Sequence, residues 1–485
     1  MTFLGEIKNL TKHSAIYTIS TVVQRAEGLI LLPILTDTSY LATKSEYGDY
    51  TLIYTFIAFM NVFYLYGIDA SFLRYYFLGR QKKEDIYRSA IQILSITSLL
   101  SSALIFILAE PLSLWIFNES NYVFFVKIAA AILLVDTLCS LPYLILRAEE
   151  RSLLFTAIRL GRFLLELALD IIFVVFLKTG VKGILYANLL AALVNLMVLI
   201  PSQLHYLRGN FSFPAIRDLL RFGLPMIPNG IAYLVVEISD RYLMLHLLDK
   251  ERVGEYSANH KFGTLMLLLV TAFRTAWQPF FLKVAGQADA KKIYGRVMTY
   301  YVLGAATVVL AGGLFIEYLV KIPIFGQSTI LGKAYWGGVR IIPLILLSYM
   351  FYGIYINLMV GIYIMKKSEW MVLFTGLAAV VNIGSNFYLM PHYGLMGAAL
   401  AAVLAYLVMT ISIYIANQKI YPIAYEYKRL SIILGYLLAG LILYYFFPVN
   451  IYLRILIIAA IPLVLVLSNF FNSEEKVYLR SIFKR

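Results

Sequence analysis

From Ser89 to Ala109 the chain runs 21 residues without a charged side chain, and from Ile341 to Met365 it runs 25. At ~1.5 Å of rise per residue, helices of that length match the hydrocarbon core of a bilayer, about 30 Å thick. Lipid offers no partner to a backbone N–H or C=O, so such a run crosses it as a helix. Runs of this kind recur along the whole chain, so 61% of its 485 residues are hydrophobic and only 14% are charged. No soluble core takes up that much apolar surface. A large soluble catalytic module, a disordered tail and a secreted disulfide scaffold are excluded. The single Cys139 lies in an apolar stretch, and one cysteine cannot form an intrachain disulfide.

The breaks between runs divide the chain into fourteen expected transmembrane helices, so the fold class is an all-α polytopic membrane protein. The spans are 13–35, 47–73, 89–109, 121–146, 153–177 and 183–207, then 222–247, 257–282, 297–316, 339–365, 370–390 and 394–416, with a final pair at 431–447 and 449–471. An even number of spans puts both termini on one side with the even-numbered links. Those links and the tails carry 25 Lys and Arg, against 7 in the odd-numbered links. The excess of basic residues on the cytoplasmic side of membrane proteins predicts both ends in the cytoplasm. Most of the net +14 is thereby topogenic, and nucleic acid is not an expected partner. Arg25 and Glu27 interrupt the first span and no small-residue cleavage pattern follows, so it is expected to be retained. The longest odd-numbered link, Glu317 to Gly338, has about twenty residues, too few for the outer catalytic loop of a glycan polymerase or ligase.

Two sets of six spans resemble each other at matched positions. Glu46-Tyr47-Gly48-Asp49-Tyr50 follows the first span, and Arg252-Val253-Gly254-Glu255-Tyr256 follows the seventh, 206 residues later. Gly180-Val181-Lys182-Gly183 and Gly394-Leu395-Met396-Gly397 recur at an offset of 214, and each opens a helix rich in alanine. Small residues let helices approach closely. Because each set holds an even number of spans, the copies are parallel repeats, and two lobes about a central cavity are expected. The expected divisions are 1–221 and 222–416 for the six-helix lobes and 417–485 for two further helices and a cytoplasmic tail.

The stretch Glu46 to Tyr76, and the stretch from Ile238-Ser239-Asp240-Arg241-Tyr242 through Gly254-Glu255-Tyr256-Ser257 to Ala276-Trp277-Gln278-Pro279-Phe280, resemble the polysaccharide-biosynthesis flippases. These Wzx-type proteins belong to the multidrug/oligosaccharidyl-lipid/polysaccharide exporter superfamily. The resemblance covers nearly the whole chain. It implies a bacterial inner-membrane transporter that alternates between inward-open and outward-open forms while turning over an undecaprenyl-diphosphate-linked oligosaccharide, as in O-antigen or capsule assembly. Membrane lipids and other polysaccharide assembly proteins are the further partners it implies. It also implies that the last two helices, Ile432 to Phe447 and Val449 to Phe471, help shape a groove for the lipid tail.

Charges deep in a span are costly and ordinarily line a wet cavity. Arg159, Arg162, Glu166 and Asp170 fall within about 80° on one helical face, the basic pair toward the cytoplasmic end. A self-contained Arg162–Glu166 ladder at i, i+4 is the competing reading. Asn229, Glu237, Asp240 and Arg241 lie within about 120° below Pro225 and Pro228, which are expected to kink the seventh span. Asp240 and Arg241 have a second reading as anchors at the outer interface. Thr21, Gln24, Arg25 and Gly28 form one polar strip, while Lys261 and Arg274 lie about 140° apart, so one of them is expected to face the cavity. Asp69, Lys127, Arg340 and Arg454 are near span ends and are expected to snorkel.

For a lipid diphosphate, guanidinium groups supply bidentate donors, and Arg25, Arg159, Arg162 and Arg274 are the candidates. Glu166, Asp170 and Glu237 are candidates to bind a coupling proton or sodium ion, and Asp240, Arg241 and Lys261 are candidates for the lobe contact or gate. No cofactor is expected; five scattered His and no His-x-x-x-His pair give no metal centre and no enzyme. The alternative function is a multidrug cation antiporter of the same superfamily, which favours an acidic, aromatic lumen over an arginine-lined one.

Overall fold

The computed structural model describes residues 28–41, 43–78, 81–325, 328–365, 367, 369–448 and 450–471. They form α1 (Lys44–Leu65), α2 (Ile68–Leu78), α3 (Lys83–Ile107), α4 (Ala109–Phe117), α5 (Val123–Ala148), α6 (Ser152–Asp170), α7 (Val181–Gln203) and α8 (Phe213–Gly223). Then follow α9 (Ile227–Leu247), α10 (Lys250–Val284), α11 (Ala290–Leu319), α12 (Ile342–Ile364), α13 (Trp370–Tyr393), α14 (Leu395–Ile420), α15 (Tyr427–Phe446) and α16 (Ile451–Leu467). The one strand pairing among the described residues is a short antiparallel contact of Pro323–Phe325 with Ser328–Thr329.

Among the described residues nine helices are long and apolar enough to span a membrane, or eleven if two bent pairs each count once. The other three expected spans have separate reasons. The first lies largely outside the described residues; α6 carries Arg159, Arg162, Glu166 and Asp170 on 19 residues; and α16 has only 17. One bend, of 43°, separates 213–226 from 230–247, where Pro225 and Pro228 stand. The other, of 40° between α1 and α2, was not expected. There Gly67 lies against the backbone of Gly223, so the two bends meet where neither residue has a side chain.

The same pairings recur in both sets: α5 packs on α7, α6 on α7, α3 on α5 and α1 on α5, as α12 packs on α14, α13 on α14, α11 on α12 and α10 on α12. Between the sets, α1 packs along α9 and α10. Helices α15 and α16 sit outside, against α11. The links sort by parity. Among odd-numbered links, Ser328 donates to Asp37, the Gly332 N–H donates to Thr36 Oγ1 at 2.9 Å, and Lys250 Nζ pairs with Glu119 at 2.8 Å. Even-numbered links meet where Tyr206 donates to Glu149 at 2.7 Å and the Asn210 N–H to Asp85 at 2.7 Å. Apolar side chains such as Leu99, Leu100 and Ile107 on α3 and Leu463 and Leu467 on α16 are turned outward, as lipid contact requires.

Arg454 departs from expectation. It does not snorkel: it is 8% exposed, its Nη1 donates to the Leu314 carbonyl at 2.6 Å and its Nη2 pairs with Glu317 at 2.8 Å. A guanidinium facing protein rather than headgroups needs a carboxylate, and α11 supplies one.

Candidate functional site

A cavity of about 460 Å³ lies between the two sets of helices. Tyr50 and Tyr54 of α1, Arg162, Glu166 and Asp170 of α6, and Asn188 of α7 line one side. Lys261 and Thr264 of α10 and the chain at Gly28 and Leu31 complete it. Helix α6 has an amphipathic pattern, with Leu153 and Leu164 turned outward and the charged stripe turned in. Directly after Asp170 the helix widens into a π-helical turn, Ile171–Phe176, a local irregularity frequent at functional sites.

The stripe is only partly the self-contained ladder. Arg162 Nη1 pairs with Asp136 of α5 at 2.7 Å, whereas its Nε stands 3.8 Å from Glu166. Asn188 Nδ2 donates to Glu166 Oε1 at 2.6 Å. The lining therefore mixes two cations with two carboxylates, and Asn188 of the neighbouring α7 holds Glu166. Tyr50 and Tyr54 pack with ring centroids 4.8 Å apart and planes tilted by 49°, giving the same cavity an aromatic wall.

The expected arginines do not converge. Arg159, although on the same stripe, holds its guanidinium over the rings of Tyr143 and Phe155, at 5.3 and 5.0 Å. It packs toward α5, because a guanidinium gains on an aromatic face what it loses by leaving water. Arg274 is exposed and lies 13 residues beyond Lys261 on α10, about 20 Å along the axis. Of that pair Lys261 lines the cavity. Arg25, Glu27 and the side chain of Asn229 lie outside the described residues.

A second polar cluster sits in the other set. Glu237 of α9 accepts hydrogen bonds from Tyr349 at 2.6 Å and Tyr406 at 2.8 Å. One turn on, Arg241 Nη1 pairs with Asp240 at 2.6 Å and also donates to the Glu237 carbonyl oxygen; Tyr256 donates to Asp240 at 2.6 Å. The Arg241 guanidinium lies 5.6 Å from the Tyr256 ring. With Asp240 4% and Arg241 8% exposed, neither anchors the outer interface; they are interior charges satisfied by each other. Sequence reading missed Asp136, Asn188, Tyr349 and Tyr406. Asp136 carries a legible signal, a lone carboxylate in the apolar run 128–146; the two tyrosines have none, because they are two among 38.

The sequence profile of a family described as "Polysaccharide biosynthesis protein" matches residues 40–322. No curated relative matches the sequence. Among solved structures, the chain is similar to the lipid II flippase MurJ in an inward closed conformation, with a TM-score of 0.77 and 15% identity over 97% of this chain and 100% of that one. It is also similar to an inward-facing multidrug-resistance MATE family transporter of the MOP superfamily, with a TM-score of 0.60 and 16% identity over 86% of this chain and 96% of that one. A Vibrio cholerae MATE transporter gives 0.57 at 16% identity, over 84% and 98%. At such identities the likeness is one of fold: all are multi-helix membrane transporters.

Proposed function

Since the chain belongs to the polysaccharide biosynthesis protein family, we propose that it flips a polyprenyl-diphosphate-linked oligosaccharide across the bacterial inner membrane by alternating access, with both termini cytoplasmic and lobes at 1–221 and 222–416. The observation that carries this reading is the shared cavity, where Arg162 from one set and Lys261 from the other face the same space. Two cations in one cavity, one from each set of helices, suit a diphosphate, and closing the lobes around it brings both to bear. The wall of Tyr50 and Tyr54 suits the flat faces of sugars. An apolar crevice of about 200 Å³, bounded by Met298 and Val302 of α11, Leu358 of α12, Ile411 of α14 and Leu430 and Leu434 of α15, offers the polyprenyl tail a path outside that cavity. Of the four expected diphosphate arginines, Arg162 keeps that role in this cavity and Lys261, expected at the lobe contact or gate, joins it; Arg25 lies outside the described residues. Glu237, with Glu166 and Asp170, remains the candidate for a coupling proton or sodium ion.

Glu166 and Asp170 in the same cavity favour one other reading, an antiporter for organic cations. Purified protein in liposomes separates the two. The expected result is movement of labelled undecaprenyl-diphosphate saccharide between leaflets. Arg162→Lys keeps the charge, loses the bidentate fork and leaves partial activity; combined with Lys261→Ala it stops movement. Ethidium efflux without lipid movement would establish the antiporter instead.

A further inference from the structure

The repeat of Gly-x-Tyr is longer than its glycines suggest. Thr43-Lys44-Ser45-Glu46-Tyr47-Gly48-Asp49-Tyr50 and Asp249-Lys250-Glu251-Arg252-Val253-Gly254-Glu255-Tyr256 share a cap, a lysine, a glycine, an acid and a tyrosine, each 206 residues apart. Both segments start a helix in the same way. The Thr43 side chain accepts from the Glu46 N–H at 3.2 Å, and Asp249 Oδ1 accepts from the Arg252 N–H at 2.7 Å. The two starts cross each other reciprocally. A Cβ on Gly48 would strike the Lys250 carbonyl, and one on Gly254 would strike the Lys44 carbonyl. The charges cross with the same symmetry: Lys44 Nζ pairs with Glu255 at 3.1 Å, and Lys250 Nζ pairs with Asp49 at 3.1 Å. Tyr122 donates to Asp49 at 2.8 Å and Glu119 takes Lys250 at 2.8 Å, so the link before α5 joins in.

We propose that these two segments are a clasp that shuts the central cavity on the face of the odd-numbered links, and that Lys44, Asp49, Lys250 and Glu255 are its gate residues. The proposal rests on the alternating-access reading. Position supports it: Tyr50 of the cavity wall follows Asp49 directly, Tyr54 lies about 15 Å along α1 from Lys44, and Lys261 about 17 Å along α10 from Lys250. The chemistry suits a contact that must part. Asp49 and Glu255 are 4% and 3% exposed in the closed form, and burying such a pair costs desolvation that nearly offsets its attraction. Separation returns all four charges to water, so closed and open forms lie close in free energy. An apolar interlock at the same place would expose hydrocarbon on opening. Glycine at the crossing leaves two smooth backbones, with no side chains to disengage.

The test needs no substrate, so its outcome is separate from that of the flippase reading. In a Cys139→Ala chain carrying Thr264→Cys, an impermeant thiol reagent is applied to intact cells and to inverted vesicles. Labelling is read on whichever face also labels Ser120→Cys, next to the clasp. Labelling is expected to be low in that parent. It should rise about tenfold, equivalent to 1.4 kcal/mol of lost preference for the closed form, with Lys44→Glu or Glu255→Lys. The swapped pair Lys44→Glu with Glu255→Lys should return it to the parent level. Should the reversals fail to accumulate, the neutral variants Lys44→Gln and Asp49→Asn carry the same expectation. High labelling of the parent, or labelling unchanged in folded variants of either kind, overturns the clasp.

Discussion

Arg162 is held by two carboxylates, Asp136 of α5 at 2.7 Å and Glu166 one turn along α6 at 3.8 Å. Its helix alone shows only the second. Since Asp136 is left without its counter-charge when Arg162 is truncated, Arg162→Ala is expected to cost about 1 to 3 kcal/mol and lower membrane abundance. Arg162→Ala with Asp136→Asn should recover abundance without recovering lipid movement. Abundance by immunoblot and flipping in liposomes check the two halves of that statement; full abundance of the single variant would remove the pairing from the account. At Glu237 the expected effect is different. Glu237→Gln keeps an acceptor oxygen for one of Tyr349 and Tyr406 and offers an N–H to the other's hydroxyl oxygen, so the protein should fold. Transport driven by an imposed proton or sodium gradient should lose its dependence on that gradient. A fully retained dependence would take Glu237 out of the coupling role.

At the scale of elements, the two Gly-x-x-Gly links turn out to be one structure used twice. Gly180 has φ +60° and ψ −143° before α7, and Gly394 has φ +56° and ψ −131° before α14. Side chains other than glycine's are strained there, so Gly394→Ala should cost about 1 to 3 kcal/mol and lower Tm. The control is Gly376→Ala within α13, where a Cβ meets open space and helix propensity favours Ala by about 1 kcal/mol. Equal Tm changes in the two would show that the turn geometry does not decide stability. The proline bend before α9 was legible from Pro225 and Pro228, because proline removes a backbone donor wherever it stands. The α1–α2 bend was not: the backbone turns left-handed at Tyr66 and Gly67, with φ +32° and +76°, but a lone glycine inside an apolar run reads equally well as part of one continuous helix.

The whole molecule is threaded so that links of one parity gather on one face. Cysteines placed at Ser120 and Ser328 in a Cys139→Ala chain should both be labelled from outside intact cells, and one at Lys292 only in inverted vesicles. Labelling of Ser120 and Ser328 from opposite faces would undo the threading; labelling of both from inside would only reverse its orientation.

Hydrophobic runs, link charges and the recurrence of small residues are properties of a linear string, and the bilayer acts on them one segment at a time. For that reason the sequence by itself determined that the chain is a helical membrane protein, where most helices lie, and that it is built as a parallel repeat. It also identified the stripe on α6, since 3.6-residue periodicity places Arg162, Glu166 and Asp170 on one face whatever surrounds them. Which charges meet was decided by tertiary structure. Rotating α6 slightly sends Arg159 to Tyr143 while Arg162 reaches Asp136, and only packing sets that rotation. Lys261 faces the cavity and Arg274 does not, because α10 runs 35 residues past several different neighbours. The duplicated lysines and acids could be read as a repeat but not as a pair. Their attraction exists only where the second copy folds back across the first and excludes water from both carboxylates.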